Sequence, residues 1–249
     1  MRTDILDYYN FYQTPLGRMT ERFVGAQLRD AWGDGANLSI AGFGYPNPYL
    51  ELFNAARRRI SLSPGAQGVI RWPNGADNCA CLTHECEWPL PDASLDRVLL
   101  IHGLEESSAP EKLLREIWRV LADDGLLIVV ASHRRGLWSM IDTTPLAAGR
   151  PYLRGQLNGL LQASMFRARE KSAALFFPPV RMNLLLRAAP SWERAGARIW
   201  PSLSGVIMIE AEKDMMAPVG LVRQRGVRDL KPAIAAPRPA TRAGRVRSQ

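Results

Sequence analysis

The chain has 249 residues, 47% of them hydrophobic, and a formal charge of +8. That length suits one large α/β domain or one domain with appendages, and the apolar content supplies a core and excludes general disorder. The charge is lopsided: residues 218–249 hold eight Arg/Lys against the single acid Asp229, so the tail carries +7 and residues 1–217 only +1.

Nucleic-acid binding by the folded part is therefore not expected. The tail, with Pro218, Pro232, Pro237 and Pro239 and almost no aromatics, reads as a disordered basic extension, the one place where a nucleic acid or acidic partner stays open. No run of 18 apolar residues exists, which excludes a membrane span, and the early acids of MRTDILDYYNFYQ exclude a secretory signal. Three cysteines without framework spacing fit a reducing, cytoplasmic setting.

Residues 1–36 form an N-terminal arm, 37–217 the α/β domain and 218–249 the tail. In the arm, the aromatic group Tyr8, Tyr9, Phe11 and Tyr12 precedes Thr14-Pro15. From Leu16 the apolar spacing becomes helical, ending at Trp32-Gly33. The aromatics serve either as ordinary packing or as a lid over a ligand pocket, with Tyr9 and Tyr12 lining it.

The stretch NLSIAGFGYPNPYL (37–50) reads as a buried strand, a glycine turn at Gly42-Phe43-Gly44 and a helix entered through Pro46 and Pro48. Glycine there permits a tight turn and close backbone approach. The spacing then predicts a helix over 49–60 closed by Arg57-Arg58-Arg59, and strands over 67–72 and 78–83. Further strands are predicted over 96–102 and 126–131, separated by a helix over 111–121. Beyond come a long irregular segment, 134–152, a helix over 152–165, a strand near 173–177, a helix around 182–188 and a last strand, 205–210. This alternation describes a doubly wound, mostly parallel sheet. Ligands of such sheets sit at the strands' carboxyl ends, here Gly42–Tyr45, Arg71-Trp72, His84–Glu87, His102–Glu105 and Ser132–Arg135.

Residues 88–131 carry a family pattern. WPLPDASLDRVLLIHGLEE followed by EKLLREIWRVLADDGLLIVVAS resembles the L-P-F-x-D-x-S-F-D and R-x-L-x-P-G-G-x-L segments of Rossmann-like S-adenosylmethionine-dependent methyltransferases, in particular the type 11 branch. Asp92, Ser94, Asp96, Arg119-Val120-Leu121 and Gly125 fall in order. The resemblance implies a seven-stranded sheet with a final antiparallel strand, S-adenosylmethionine as cofactor and a small-molecule methyl acceptor. Carried over position by position, Gly42 and Gly44 pass beneath the methionine part and Tyr45 follows them. Arg71 and Trp72 stand at the expected end of the second strand, His84 and Glu85 in the loop near the adenine, and Gly103 after the fourth strand. Two departures stand out: Ile40 replaces the acid before the glycine turn, and no acid stands at 70–73, where a carboxylate normally accepts from the ribose hydroxyls. Loss of both is the mark of the alternative, a methyltransferase-like scaffold retained for binding or regulation.

Methyl transfer needs in-line positioning and, for some acceptors, a base. His102 is the candidate base, against the plainer reading of a structural histidine. His133 and Arg135 are candidate contacts for an acidic acceptor, or plain surface charge. Cys79, Cys81, His84 and Cys86 give C-x-C-x-x-H-x-C, but zinc sites draw ligand pairs from separate segments, so no metal is expected. Cys79 and Cys81 instead share one face of a buried strand as small hydrophobes.

Overall fold

The structure is a computed structural model describing residues 2–141, 144–179, 189–200 and 203–216. The basic tail and the helix expected around 182–188 lie outside the described residues.

Seven strands form one sheet in the order β3-β2-β1-β4-β5-β7-β6. They are β1 (Ser39–Gly44), β2 (Arg58–Pro64), β3 (Ala80–Thr83), β4 (Leu95–Ile101), β5 (Leu121–Ser132), β6 (Phe166–Ala174) and β7 (Val206–Lys213). β1 to β5 pair in parallel, while β7 runs antiparallel between β5 and β6. The expected doubly wound sheet with an antiparallel last strand is present. The helices are α1 (Ile5–Gln13), α2 (Pro15–Trp32), α3 (Asn47–Leu50), α4 (Pro110–Val120), α5 (Arg154–Ala163) and α6 (Ala189–Ile199).

Alternate residues of the central strands feed two cores, which is why these strands read as continuous apolar runs. Ile40, Leu99, Ile101, Ile128 and Val130 join α1, α2 and α3 on one face. Ala41, Phe43, Val98, Leu100, Leu127 and Val129 pack under α4 and α5 on the other.

Four expected elements differ. The helix predicted over 49–60 stops at Leu50, and the chain re-enters the sheet at Arg58, in register with Ser39. The arginine triplet therefore ends no helix: Arg57 donates to Ser39 Oγ, Arg58 to the Ser94 carbonyl and Arg59 to the Leu50 carbonyl. The second strand is consequently 58–64, and 67–72 is a loop with backbone carbonyls paired off the sheet: Ile5 N–H donates to the Gln67 carbonyl and Cys79 N–H to the Trp72 carbonyl. The predicted strand at 173–177 lies at 166–174, its alternation hidden because this edge strand exposes Arg167, Arg169, Glu170 and Lys171 around a register shift. The aromatic group of the arm is itself helical: Asp4 caps α1, and Thr14 ends α1 and caps α2.

The motif segment is a clasp. Arg119, at the end of α4, donates to the carbonyls of Trp88 and Leu90 and pairs with Asp92 and Glu116. Glu116 also accepts from the Trp88 N–H at 2.6 Å. Burial pushes the Glu116 carboxyl up, but Arg119 and that N–H together hold it below the usual range. Asp96 accepts from the Ser39 N–H at 2.6 Å, joining β4 to the start of β1. These signature residues fix strand entry and loop shape.

Candidate active site

The glycine turn closes on the protein itself. Gly44 has φ +98°, and a Cβ there would overlap the Ile101 carbonyl oxygen. One at Gly42 would overlap the Pro46 ring, and one at Gly103 would lie 2.8 Å from the Phe43 ring. Tyr45 N–H donates to the Ile101 carbonyl, and the Gln67 side-chain amide donates to the Gly44 carbonyl at 2.8 Å. Gly44 and Gly103 thus serve close packing between the ends of β1 and β4, and Gly42 makes room for the Pro46 ring of the turn that follows.

Above this turn lies a cluster made by α1, the residues after β1 and the end of β4. Tyr8 stacks on Tyr45 with ring centroids 5.4 Å apart and lies 4.8 Å from the His102 ring. Tyr12 stacks on Tyr45 at 5.6 Å and meets Tyr49 edge-on. Its hydroxyl lies 2.9 Å from the Tyr49 hydroxyl and 2.7 Å from His102 Nε2. All five side chains are buried. Burial pushes the Tyr8, Tyr12, Tyr45 and Tyr49 phenols well up, and lowers His102 to about 3, so the imidazole is neutral. His102 holds φ +56°, a conformation that costs about 1–3 kcal/mol in a non-glycine residue and here turns the ring back toward Tyr12.

α1 is anchored at its start. Thr3 donates to Glu106 through its N–H at 2.9 Å and its hydroxyl at 2.7 Å, the Tyr8 hydroxyl donates to Glu106 at 3.3 Å, and Arg2 pairs with Glu85. Glu85 also accepts from the Ser107 hydroxyl, from the Ser108 hydroxyl and N–H, and from the Ala109 N–H. Burial pushes its carboxyl up, yet Ser108, Arg2, Ser107 and Ala109 hold it below the ordinary range.

The expected site residues separate into three places. Tyr9, Tyr12, Tyr45, Arg71 and Trp72 line one small cavity of about 200 Å³. Trp72 is buried beneath Arg59, and exposed Arg71 donates to the Ala76 carbonyl. His84 and Glu85 line a wide groove of about 1190 Å³ between the ends of β2 and β3 and helix α4. His133 is buried after β5, its Nδ1 3.1 Å from both the carbonyl and the hydroxyl of Ser204, whereas Arg135 is exposed. Burial, partly offset by the Ser204 carbonyl, lowers His133. The cysteines do not share a buried face: Cys81 is exposed on edge strand β3, and Cys79 precedes that strand.

Sequence reasoning placed Glu105 on this edge without giving it a role. It is buried, with one carboxylate oxygen accepting from the Ser132 N–H at 2.8 Å and the other without a partner among the described residues. Burial pushes its carboxyl up. Gly149 and Arg150 pack against it: Arg150 N–H donates to the Glu105 carbonyl, and Gly149, at φ +75°, has no room for a Cβ beside it. The signal available was an acid within three residues of a buried strand's end.

Residues 41–129 match the family model described as a methyltransferase domain. This span runs from β1 into β5 and includes the glycine turn, the clasp and His102. Solved structures share the fold. One is an S-adenosylmethionine-dependent methyltransferase from Archaeoglobus fulgidus, 19% identical over 76% of this chain and 93% of its own, with a TM-score of 0.51. Another is a putative methyltransferase complexed with the Haloferax volcanii Trm112 methyltransferase activator, 11% identical over 76% and 93%, at 0.54. A third is the [4+2]-cyclase SpnF, 17% identical over 78% and 80%, at 0.53. At such identities the likeness establishes the fold. No curated protein sequence matches the chain.

The family implies S-adenosylmethionine as cofactor. In the arrangement described here, the protein's own groups fill the edge over Gly42 and Gly44. The 200 Å³ cavity beside them falls below the roughly 300 Å³ at which small-molecule sites begin. β2 ends in Ser63-Pro64 rather than an acid. The residues therefore do not enclose that cofactor while α1 stays in place.

Proposed function

We propose that this chain, whose central segment is a type 11 S-adenosylmethionine-dependent methyltransferase domain, transfers a methyl group to a small-molecule acceptor in the cytoplasm. The observation that carries this reading is the coincidence of the methyltransferase match with β1 to β5, whose carboxyl ends bring the glycine turn, His102 and Glu105 to one edge. Among the described residues no helix is long and apolar enough to cross a membrane. Residues 1–217 are almost uncharged overall, which favours a small molecule over a nucleic acid as acceptor.

His102 is held neutral by burial and hydrogen-bonded to Tyr12; it can accept a proton at Nε2 only when that bond is released and the burial that lowers its proton affinity is relieved. Glu105, with an unpartnered buried oxygen, is a second candidate for receiving the acceptor's proton or fixing its donor group. Gly149 and Arg150, packed against Glu105, cover that group on one side.

One observation favours a second reading, a scaffold that has kept the fold without the chemistry: aromatic side chains occupy the edge over the glycine turn, and no acid ends β2. That SpnF is named a [4+2]-cyclase shows that this fold hosts other reactions. Incubating the full chain with methyl-labelled S-adenosylmethionine and fractionated cell extract separates the readings. Label in a low-mass product supports the first. Label in protein or nucleic acid contradicts the acceptor class, and no transfer from any fraction favours the scaffold.

A further inference from the structure

The surface beneath α1 is not an ordinary apolar seat. It presents the Tyr49 hydroxyl and His102 Nε2, which meet the Tyr12 hydroxyl at 2.9 and 2.7 Å. Nearby, Gln67 Oε1 and Trp72 Nε1 are buried without partners among the described residues. Gln67 bridges the two sides, its side-chain amide donating to the Gly44 carbonyl and its backbone carbonyl accepting from the Ile5 N–H of α1. A face made only for packing would bury carbon there, because each unsatisfied polar atom costs about 1–3 kcal/mol.

α1 is held by its docking, which buries Ile5, Tyr8, Phe11 and Tyr12. At nine residues it is shorter than the roughly 12–15 needed for an isolated helix to be even marginal, so its helicity depends on docking. It joins α2 through the single extended residue Thr14, at φ −75° and ψ 158°. Its start is held by few polar contacts, Arg2 to Glu85, Thr3 and Tyr8 to Glu106, and Ile5 to Gln67.

We infer that α1 is a built-in occupant of the cofactor site: the Tyr12 hydroxyl stands where polar atoms of S-adenosylmethionine meet Tyr49 and His102, and the cofactor binds by displacing α1 about Thr14. This rests on the methyltransferase reading and reconciles it with the filled edge. Displacement exposes the Tyr49 hydroxyl, His102 Nε2 and Gln67 Oε1 together above Gly44. The closed helix lowers apparent affinity by the fraction of molecules that are open, which makes cofactor occupancy responsive to anything that loosens Glu106 or Glu85.

The test titrates S-adenosylhomocysteine into the full chain, into Glu106→Ala, which removes an anchor outside the aromatic cluster, and into Tyr12→Phe. Hydrogen exchange of residues 5–13 is followed with and without ligand. The expected result is tighter binding by about tenfold in both variants, together with loss of protection in residues 5–13 when the unaltered chain is saturated. Equal affinities in all three proteins, with protection of 5–13 unchanged on saturation, would overturn the inference while leaving the methyltransferase reading standing. No binding by any of them, although Glu106→Ala accelerates exchange in 5–13, would remove the cofactor reading and the inference with it. The exchange measurement on the unaltered chain decides the matter even if a variant fails to fold.

Discussion

The Tyr12 hydroxyl lies 2.7 Å from Nε2 of His102, and this one contact ties the N-terminal helix to the end of the central strand. His102 is buried among Tyr8 and Tyr12 at a positive φ, where burial disfavours a charged imidazole. Burial places its folded pKa near 3, against 6.5 for the unperturbed group. The unfolded chain therefore binds the proton first as pH falls. The stability His102 contributes is complete above about 6.5 and is lost progressively as pH drops toward 3. Between pH 7 and pH 5 the loss is about 2 kcal/mol. Urea denaturation of the unaltered chain and of His102→Gln at both pH values should show a smaller drop in the variant; equal drops would contradict this.

Gly44→Ala should be among the most damaging single changes in the chain. The backbone there has φ +98°, and the added methyl overlaps the Ile101 carbonyl oxygen. Strain and overlap together should cost about 3 kcal/mol or more. Denaturant unfolding reads this directly. The same change at Gly155, which has open space around its missing Cβ and lies in α5, should be neutral or slightly stabilising.

Arg119→Met tests whether the family signature is a clasp. The change removes donors from the Trp88 and Leu90 carbonyls and leaves the Glu116 carboxylate without its cation. Arg119 is partly exposed, so solvent tempers the effect, and a loss of roughly 2 kcal/mol is expected. Adding Glu116→Gln should recover part of it, because the stranded charge is gone. A fully additive double variant would argue against the clasp.

Glu105→Gln should separate stability from function. Burial raises the Glu105 pKa, so the ionised form is disfavoured in the folded state and destabilises it at neutral pH. Glutamine retains an oxygen for the Ser132 N–H and carries no charge, so the variant should be more stable at pH 7–8 by about 1 kcal/mol. That gain should fade as the pH falls through the raised pKa, where the native carboxyl is already protonated. If Glu105 serves the acceptor, methyl transfer falls even as the melting temperature rises.

The fold was legible where both faces of a strand are buried, because β1, β4 and β5 then read as unbroken apolar runs. It was obscured at the edges. β2 was masked by the arginine triplet, whose cations sit along a strand instead of closing a helix. β6 exposes its charges on the outer edge, so alternation failed there. The apolar residues of 67–72 suggested a strand, but that segment wraps against α1 and the glycine turn. In the candidate site, proximity in sequence identified Gly42, Gly44, Tyr45, His102 and Gly103 as neighbours on one edge. It could not show that Tyr8 and Tyr12 reach across 90 residues to seal that edge, since the contact depends on how α1 folds back. Glu105 was hidden for a similar reason: only the folded chain brings Ser132 to one of its oxygens and leaves the other without a partner among the described residues.

Calorimetric titration of the full chain with S-adenosylhomocysteine tests the central claim most directly. A methyltransferase domain closed by its own N-terminal helix predicts saturable one-to-one binding, competed by S-adenosylmethionine, with an affinity in the micromolar range, about −8 kcal/mol. Absence of heat at millimolar ligand, with the protein folded and α1 loosened by Glu106→Ala, would contradict it.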